Sequence, residues 1–252
     1  MMDHGGRSPL RISVTDVAGN SVLTVQGVLS STTYVQLRDA IVKAALDEPA
    51  AVVIDVTGLA FGDETALAVF VSARWQVAEW PNVPIGLVCA HTRGQAALRR
   101  NGVTRYIPVY PTMQSATTKL PERALRAYRQ RARATLTAEK SSSRLCRQLV
   151  SEWLTTWART DFIHAVSIVA TELVEDALID TDRAFSLRVE TDGSTMTVAV
   201  QHATTGALRR RVTNSETLLG VDVVAATSRI WGSFTTAAGT TVWAVIGPEN
   251  RF

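Results

Sequence analysis

The residues best placed to do chemistry form a short acidic run, Phe61-Gly62-Asp63-Glu64-Thr65-Ala66-Leu67-Ala68-Val69-Phe70, directly after the apolar stretch Ala51-Val52-Val53-Ile54-Asp55-Val56. The pattern predicts a buried strand, a short turn and an amphipathic helix that opens on carboxylates. The first turn of a helix has unpaired backbone N–H groups and a partial positive charge, so it favours anions. Asp63 fits the capping position and Glu64 the first turn, where it supplies one fixed negative charge. Thr65 offers a hydroxyl next to that charge. Both carboxylates also have a plain structural use as cap and first-turn acid.

The elements that position this run follow from pattern and size. With 252 residues, 46% hydrophobic and 19% charged, the chain is sized for two ordinary domains, or one large one, with full cores. No stretch approaches the roughly 20 apolar residues of a membrane span, and the N-terminal residues lack the apolar centre of a signal peptide, so a cytoplasmic protein is expected. Cys89 and Cys146 give no metal or disulfide spacing. The net charge of +3 is local in origin: Arg123, Arg126, Arg129, Arg131 and Arg133 fall within eleven residues, followed by Lys140, Arg144 and Arg147. No aromatic interleaving accompanies that cluster, so direct nucleic-acid binding is not expected, and residues 118–136 are expected to form a solvated basic linker helix with Pro121 near its start.

In the first half, Leu10–Val17 and Val22–Gly27 predict a hairpin through Ala18-Gly19-Asn20-Ser21. A helix is expected over Thr32–Leu46 with Ser31 and Thr32 as caps, then the central strand 51–56 and a helix from Glu64 to Trp80. A strand at Ile85–Cys89, a helix at Thr92–Arg100 and a last strand near Tyr106–Tyr110 complete the half. That order predicts a small mixed sheet with helices mainly on one face. Together with the acidic helix start it resembles the STAS domain of bacterial anti-sigma-factor antagonists, over residues 8–117. In that family the helix opens Asp-Ser-(Ser/Thr)-Gly, and a partner kinase phosphorylates the first Ser. Asp63 matches the Asp, Glu64 stands at the Ser position, Thr65 matches the third and Ala66 replaces the Gly. Gly27 matches a family glycine, and Ser30 stands where the family has Asp. The resemblance implies a phosphoacceptor position occupied by a permanent charge.

In the second half, residues 137–252, helices are expected over Ser143–Trp157 and Phe162–Leu178, strands at Phe185–Glu190 and Thr195–Gln201, a helix over Leu218–Arg229, and a last strand at 241–246. The segments Glu172-Leu173-Val174-Glu175-Asp176-Ala177 and Trp231-Gly232 … Gly239 … Val242-Trp243-Ala244 resemble the GHKL (histidine-kinase-like) ATPases that serve as anti-sigma kinases. The resemblance implies an α/β sandwich in which Glu172 is the catalytic base. It also marks departures: Asp176 stands at the Mg²⁺ asparagine, His202 at the adenine aspartate, and Leu218 at the first of two glycines, of which Gly220 is kept. Asp176 could still hold Mg²⁺ through carboxylate oxygen, yet adds charge beside a triphosphate. His202 lacks a fixed acceptor for an adenine amino group, and Leu218 places a side chain where backbone must approach phosphate. Arg209-Arg210-Arg211 forms no oriented cradle.

The expected fold is therefore an α/β (α+β) two-domain chain, and the expected function a non-enzymatic regulator of bacterial sigma-factor signalling with a degraded ATP site and no cofactor. Its expected partners are an anti-sigma factor, an antagonist or a sigma factor. Docking of the two domains on each other, or a homodimer, is also open. Two further readings are a serine/threonine kinase, with Glu172 as base, Asp176 on Mg²⁺ and Thr65 as an acceptor, and a sensor that reuses the altered pocket for a small molecule. His91 and His164 are expected to be surface or packed side chains.

Overall fold

The computed structural model describes residues 10–78, 80–123, 130–203, 222–236 and 239–250. The chain divides into two units, Met1–Leu125 and Arg126–Phe252.

In the first unit, β1 (Arg11–Val17) and β2 (Asn20–Leu29) form an antiparallel hairpin closed by Ala18 and Gly19, with φ of 53° and 78°. Two consecutive positive φ values give the turn whose twist suits a two-residue hairpin, and the Asp16 carboxylate accepts the Gly19 N–H at 3.1 Å. The strands β3 (Val52–Asp55) and β5 (Ile85–Val88) extend the sheet in parallel, and β6 (Val109–Tyr110) ends it, giving the order β1-β2-β3-β5-β6. The short β4 (Leu59–Phe61) pairs with the far end of β2. Residues 51–54 are fully buried, as a strand covered on both faces must be.

Helix α1 (Tyr34–Leu46) packs on β2 and β3 and against α2 (Ala68–Gln76), which a 3₁₀ turn at Glu64–Leu67 precedes. Helix α3 (Thr92–Arg100) is followed by a 3₁₀ turn at Val103–Arg105. Ser31 and Thr32 do not cap α1. Thr33 holds that end instead: its hydroxyl accepts the Ser30 N–H at 2.9 Å and donates to the Val28 carbonyl at 3.0 Å.

The described residues of 118–136 do not form the single linker helix expected there: 118–123 belong to one helix and 130–136 to a strand. Helix α4 (Met113–Arg123) belongs to the first unit, where Ala116 and Leu120 pack on Val22, Val53 and Val88. These strand residues alternate with Leu23, Ile54 and Leu87, so α4 lies on one face of the sheet and the other set points away from it. Beyond it, Gln130–Leu136 is a strand, β7, paired antiparallel with β8 (Phe185–Thr191). The charge density of that stretch concealed its period of two. Ala134 and Leu136 face the core, while Arg131 and Arg133 alternate to the other side and meet β8. Arg131 lies 3.3 Å from Glu190, and the Arg133 Nε–H donates to Ser186 Oγ at 2.8 Å.

The second unit is an antiparallel sheet ordered β10-β11-β9-β8-β7, with β9 at Met196–His202, β10 at Ile230–Thr236 and β11 at Gly239–Ile246. Helices α5 (Ser141–Thr156) and α6 (Ile163–Asp180) pack on each other, and α6 crosses β9 and β11. Their apolar faces (Cys146, Val150, Leu154, Val166, Val169, Val174) share one core with Leu187, Val198 and Val200. Within the segment expected to be helical from Leu218, residues 222–227 are helical, and the residues before them lie outside the described ones. No described helix is long and apolar enough to cross a membrane.

Candidate functional site

The acidic run is held by strand pairing before it and by a long-range clamp after it. The Gly62 and Asp63 N–H groups both donate to the Leu29 carbonyl, at 3.0 and 3.3 Å, so the end of β2 fixes the loop. Asp63, extended at φ −138°, ψ 115°, is the cap: its Oδ1 accepts the Thr65 N–H at 2.9 Å and the Thr65 hydroxyl at 2.7 Å. These two bonds, the hydroxyl one first, hold the Asp63 carboxyl below its usual range.

Glu64 is exposed, as expected for a first-turn residue, but it is not free. Asn101 Nδ2 donates to Glu64 Oε2 at 2.9 Å, and Arg100 Nη2 donates to Oε1 at 2.8 Å. The Asn101 hydrogen bond and then Arg100 lower its pKa below that of an ordinary glutamate. Each carboxylate oxygen thus has its own donor, from a point 36 or 37 residues along the chain. The helix start alone does not predict this clamp. Asn101, just past the end of α3, also turns its amide back on the Ala97 carbonyl at 3.0 Å.

Beside Glu64 lies an open hollow lined by Thr65, Ala68, Val71, Gly102, Arg105 and Tyr106. The ring of Tyr106 stands beside that of Trp75, with centroids 6.0 Å apart and planes tilted by 56°. His91, on the same unit, is exposed and donates from Nε2 to the Thr57 carbonyl at 2.6 Å. Gly27, at φ 112°, holds a conformation other residues avoid, while Ser30 is buried with its hydroxyl 2.9 Å from Thr32 Oγ1.

Residues 11–116 match the family model of the STAS domain. The first unit carries a STAS domain. Solved structures similar to this stretch include an anti-sigma factor antagonist from Mycobacterium paratuberculosis, at 25% identity, covering 44% of this chain and 94% of that one, TM-score 0.40. Others are RsbS from Moorella thermoacetica (20% identity, 45% and 97% covered, TM-score 0.39) and unphosphorylated SpoIIAA (15%, 44% and 97%, TM-score 0.36). No curated protein matches the chain.

The second unit places its singled-out residues differently. Glu172 and Asp176 sit four apart on α6, so they share a face, and both are half-buried. Burial, and then the neighbouring Glu175, push the Glu172 pKa up. His202 closes β9 opposite Thr240 and is 3% exposed, with no hydrogen bond to either ring nitrogen among the described residues. Gly220, Leu218 and Arg209–Arg211 lie outside the described residues. Among the described residues no three His, Cys, Asp or Glu side chains are grouped to hold a metal ion. His164 is exposed on α6. Both cysteines are buried and unpaired; burial raises the Cys89 thiol pKa and takes that of Cys146 to about 12, so neither is a nucleophile.

Proposed function

We propose that the chain regulates bacterial sigma-factor signalling by protein–protein contact through its STAS face, and that it does so without phosphorylation of residue 64. The observation that carries this reading is Glu64 itself. A carboxylate stands in the first turn, fully ionised at neutral pH, where the resembled family carries the modifiable Ser. The match to the STAS model supports the kind of partner, an anti-sigma factor kinase, an antagonist or a sigma factor. Glu64 imitates the modified state only in part, since a phosphoserine would carry about −1.5 to −2 of charge and three acceptor oxygens. Its charge is further offset by Arg100. The second unit acts as an altered GHKL-like domain: Asp176 and His202 replace the groups that would hold Mg²⁺ and adenine, so we assign it a binding role with no ATP turnover.

The reading is tested with the purified full chain by interferometry against the anti-sigma kinases and sigma factors of its source organism, with Mg-ATP titrated separately by calorimetry. It expects a specific complex with at least one partner and no heat from Mg-ATP. Micromolar Mg-ATP binding with transfer of phosphate to Thr65 would favour the kinase reading instead, for which Asp63, 2.7 Å from the Thr65 hydroxyl, is a suitable proton acceptor. Absence of any partner among these proteins would overturn the proposal.

A further inference from the structure

The surface that runs from Glu64 to Trp75 has a chemistry of its own. Trp75 and Tyr106 are large aromatic residues left 63% and 53% exposed, and they face each other at 6.0 Å. Tyr106 and Arg105 line the same hollow as Glu64 and Asn101, and Arg100 is bound to Glu64. An exposed aromatic pair is costly in water unless something covers it, and aromatic residues with arginine are the common anchors of protein interfaces. The charged side chains at this hollow are Glu64, Arg100 and Arg105; Arg100 is bound to Glu64, so Arg105 is the charge left over to meet a ligand.

We infer that this face binds an acidic protein segment with an apolar side chain, which seats on Trp75 and Tyr106 while its carboxylates meet Arg105 and Arg100. This rests on the reading of the first unit as a protein-binding module and names the chemistry of what it binds. Arg105 has no ion pair among the described residues and is ready for an incoming carboxylate. Arg100 is already engaged, 2.8 Å from Glu64, with both side chains half exposed or more. The Glu64 carboxylate therefore acts as a tethered competitor. It occupies the donors that a partner's carboxylate would use, and releases them only to a ligand that offers apolar contact as well. A nucleic acid suits the face less well, because Glu64 repels a phosphate chain and two arginines span too little of one.

The test is fluorescence anisotropy with a labelled twelve-residue peptide of alternating Glu and Leu, added to the full chain at low ionic strength. The control is the same peptide with Lys in place of Glu. The acidic peptide is expected to bind and to weaken with salt, and the Lys peptide to show no binding. Arg100→Glu with Arg105→Glu should weaken binding at least tenfold, Trp75→Ala at least fivefold, and Glu64→Gln should strengthen it two- to fivefold. Trp75 and Arg105 are exposed, so these variants keep the core intact, and circular dichroism checks it. No binding of the acidic peptide, equal binding of the Lys peptide, unchanged affinity in the variants, or tighter binding of a single-stranded oligonucleotide would each overturn the inference. A chain that still binds an anti-sigma kinase, with Trp75→Ala and Arg105→Glu without effect on it, would keep its proposed function and lose this face.

Discussion

Glu64 and Glu172 are both helical carboxylates, and their surroundings pull them in opposite directions. Glu64 meets the Asn101 amide and the Arg100 guanidinium and is held ionised; Glu172 is half-buried beside Glu175 and holds its proton more tightly than a free glutamate. The first carboxylate is organised by donors from another element, the second only by its own helix. A charge that the fold supplies with donors is built to be presented as a charge. One left beside its own kind is tolerated, with its pKa raised.

Each carboxylate sits in its own unit of the chain, and the largest expected effects concern whether each unit folds by itself. Fragments 1–125 and 126–252 should each fold. Fragment 137–252, which lacks β7, should not, because it exposes the β8 edge and takes Arg131 and Arg133 from Glu190 and Ser186. We expect a loss of about 3 kcal/mol or more from the removed pair and the removed Leu136 packing. Urea melts followed by circular dichroism distinguish the fragments; equal stability of 126–252 and 137–252 would remove β7 from the second unit.

Gly239→Ala is the next largest break. Gly239 has φ +143°, and a Cβ there would run into the His202 carbonyl on the neighbouring strand. The strain and the displaced strand should cost about 2–4 kcal/mol, read as a lower urea midpoint for the second unit with the first unchanged.

The first unit was largely legible in the sequence because its elements carry strong signals: an Ala-Gly hairpin, an all-apolar central strand and an acidic helix start. The clamp on Glu64 was not, since it joins residues 36 and 37 positions apart and no local pattern pairs them. In the second unit the two edge strands were missed. In β7 alternating Arg and Ala hid a period of two behind a charge cluster. In β10, Trp231-Gly232-Ser233-Phe234 buries only Phe234, so it lacks the alternation that marks a half-buried strand.

Glu172→Gln separates the two carboxylates by pH. The folded pKa of Glu172 is raised above the ordinary 4.5, so the unfolded chain ionises first and stability falls as pH rises through that interval. The substitution should therefore raise the melting temperature of the second unit at pH 7 and leave it unchanged near pH 3. An equal change at both values would assign the effect to packing.

Asn101→Ala and Arg100→Ala should produce the smallest effect, a return of the Glu64 pKa towards 4.5 in an NMR titration of its side-chain carboxyl. The sign is opposite to that of Glu172: the clamp is present above the ordinary carboxylate range and is lost as pH falls through the depressed value. A Glu64 titration that is the same with and without these donors would mean that the clamp does not form in solution.

The central claim, that Glu64 controls a partner-binding face through its charge, is tested most directly by the affinity of an anti-sigma kinase partner for three forms of the full chain at low salt: wild type, Glu64→Ser and Glu64→Ala. Both substitutions remove the charge and free Arg100 and Asn101, and only one supplies a hydroxyl. The account predicts that both bind more tightly than wild type, by a similar factor, and that the difference shrinks as salt is added. Affinities unchanged in both variants would contradict it and leave Glu64 as the first-turn carboxylate of an ordinary helix.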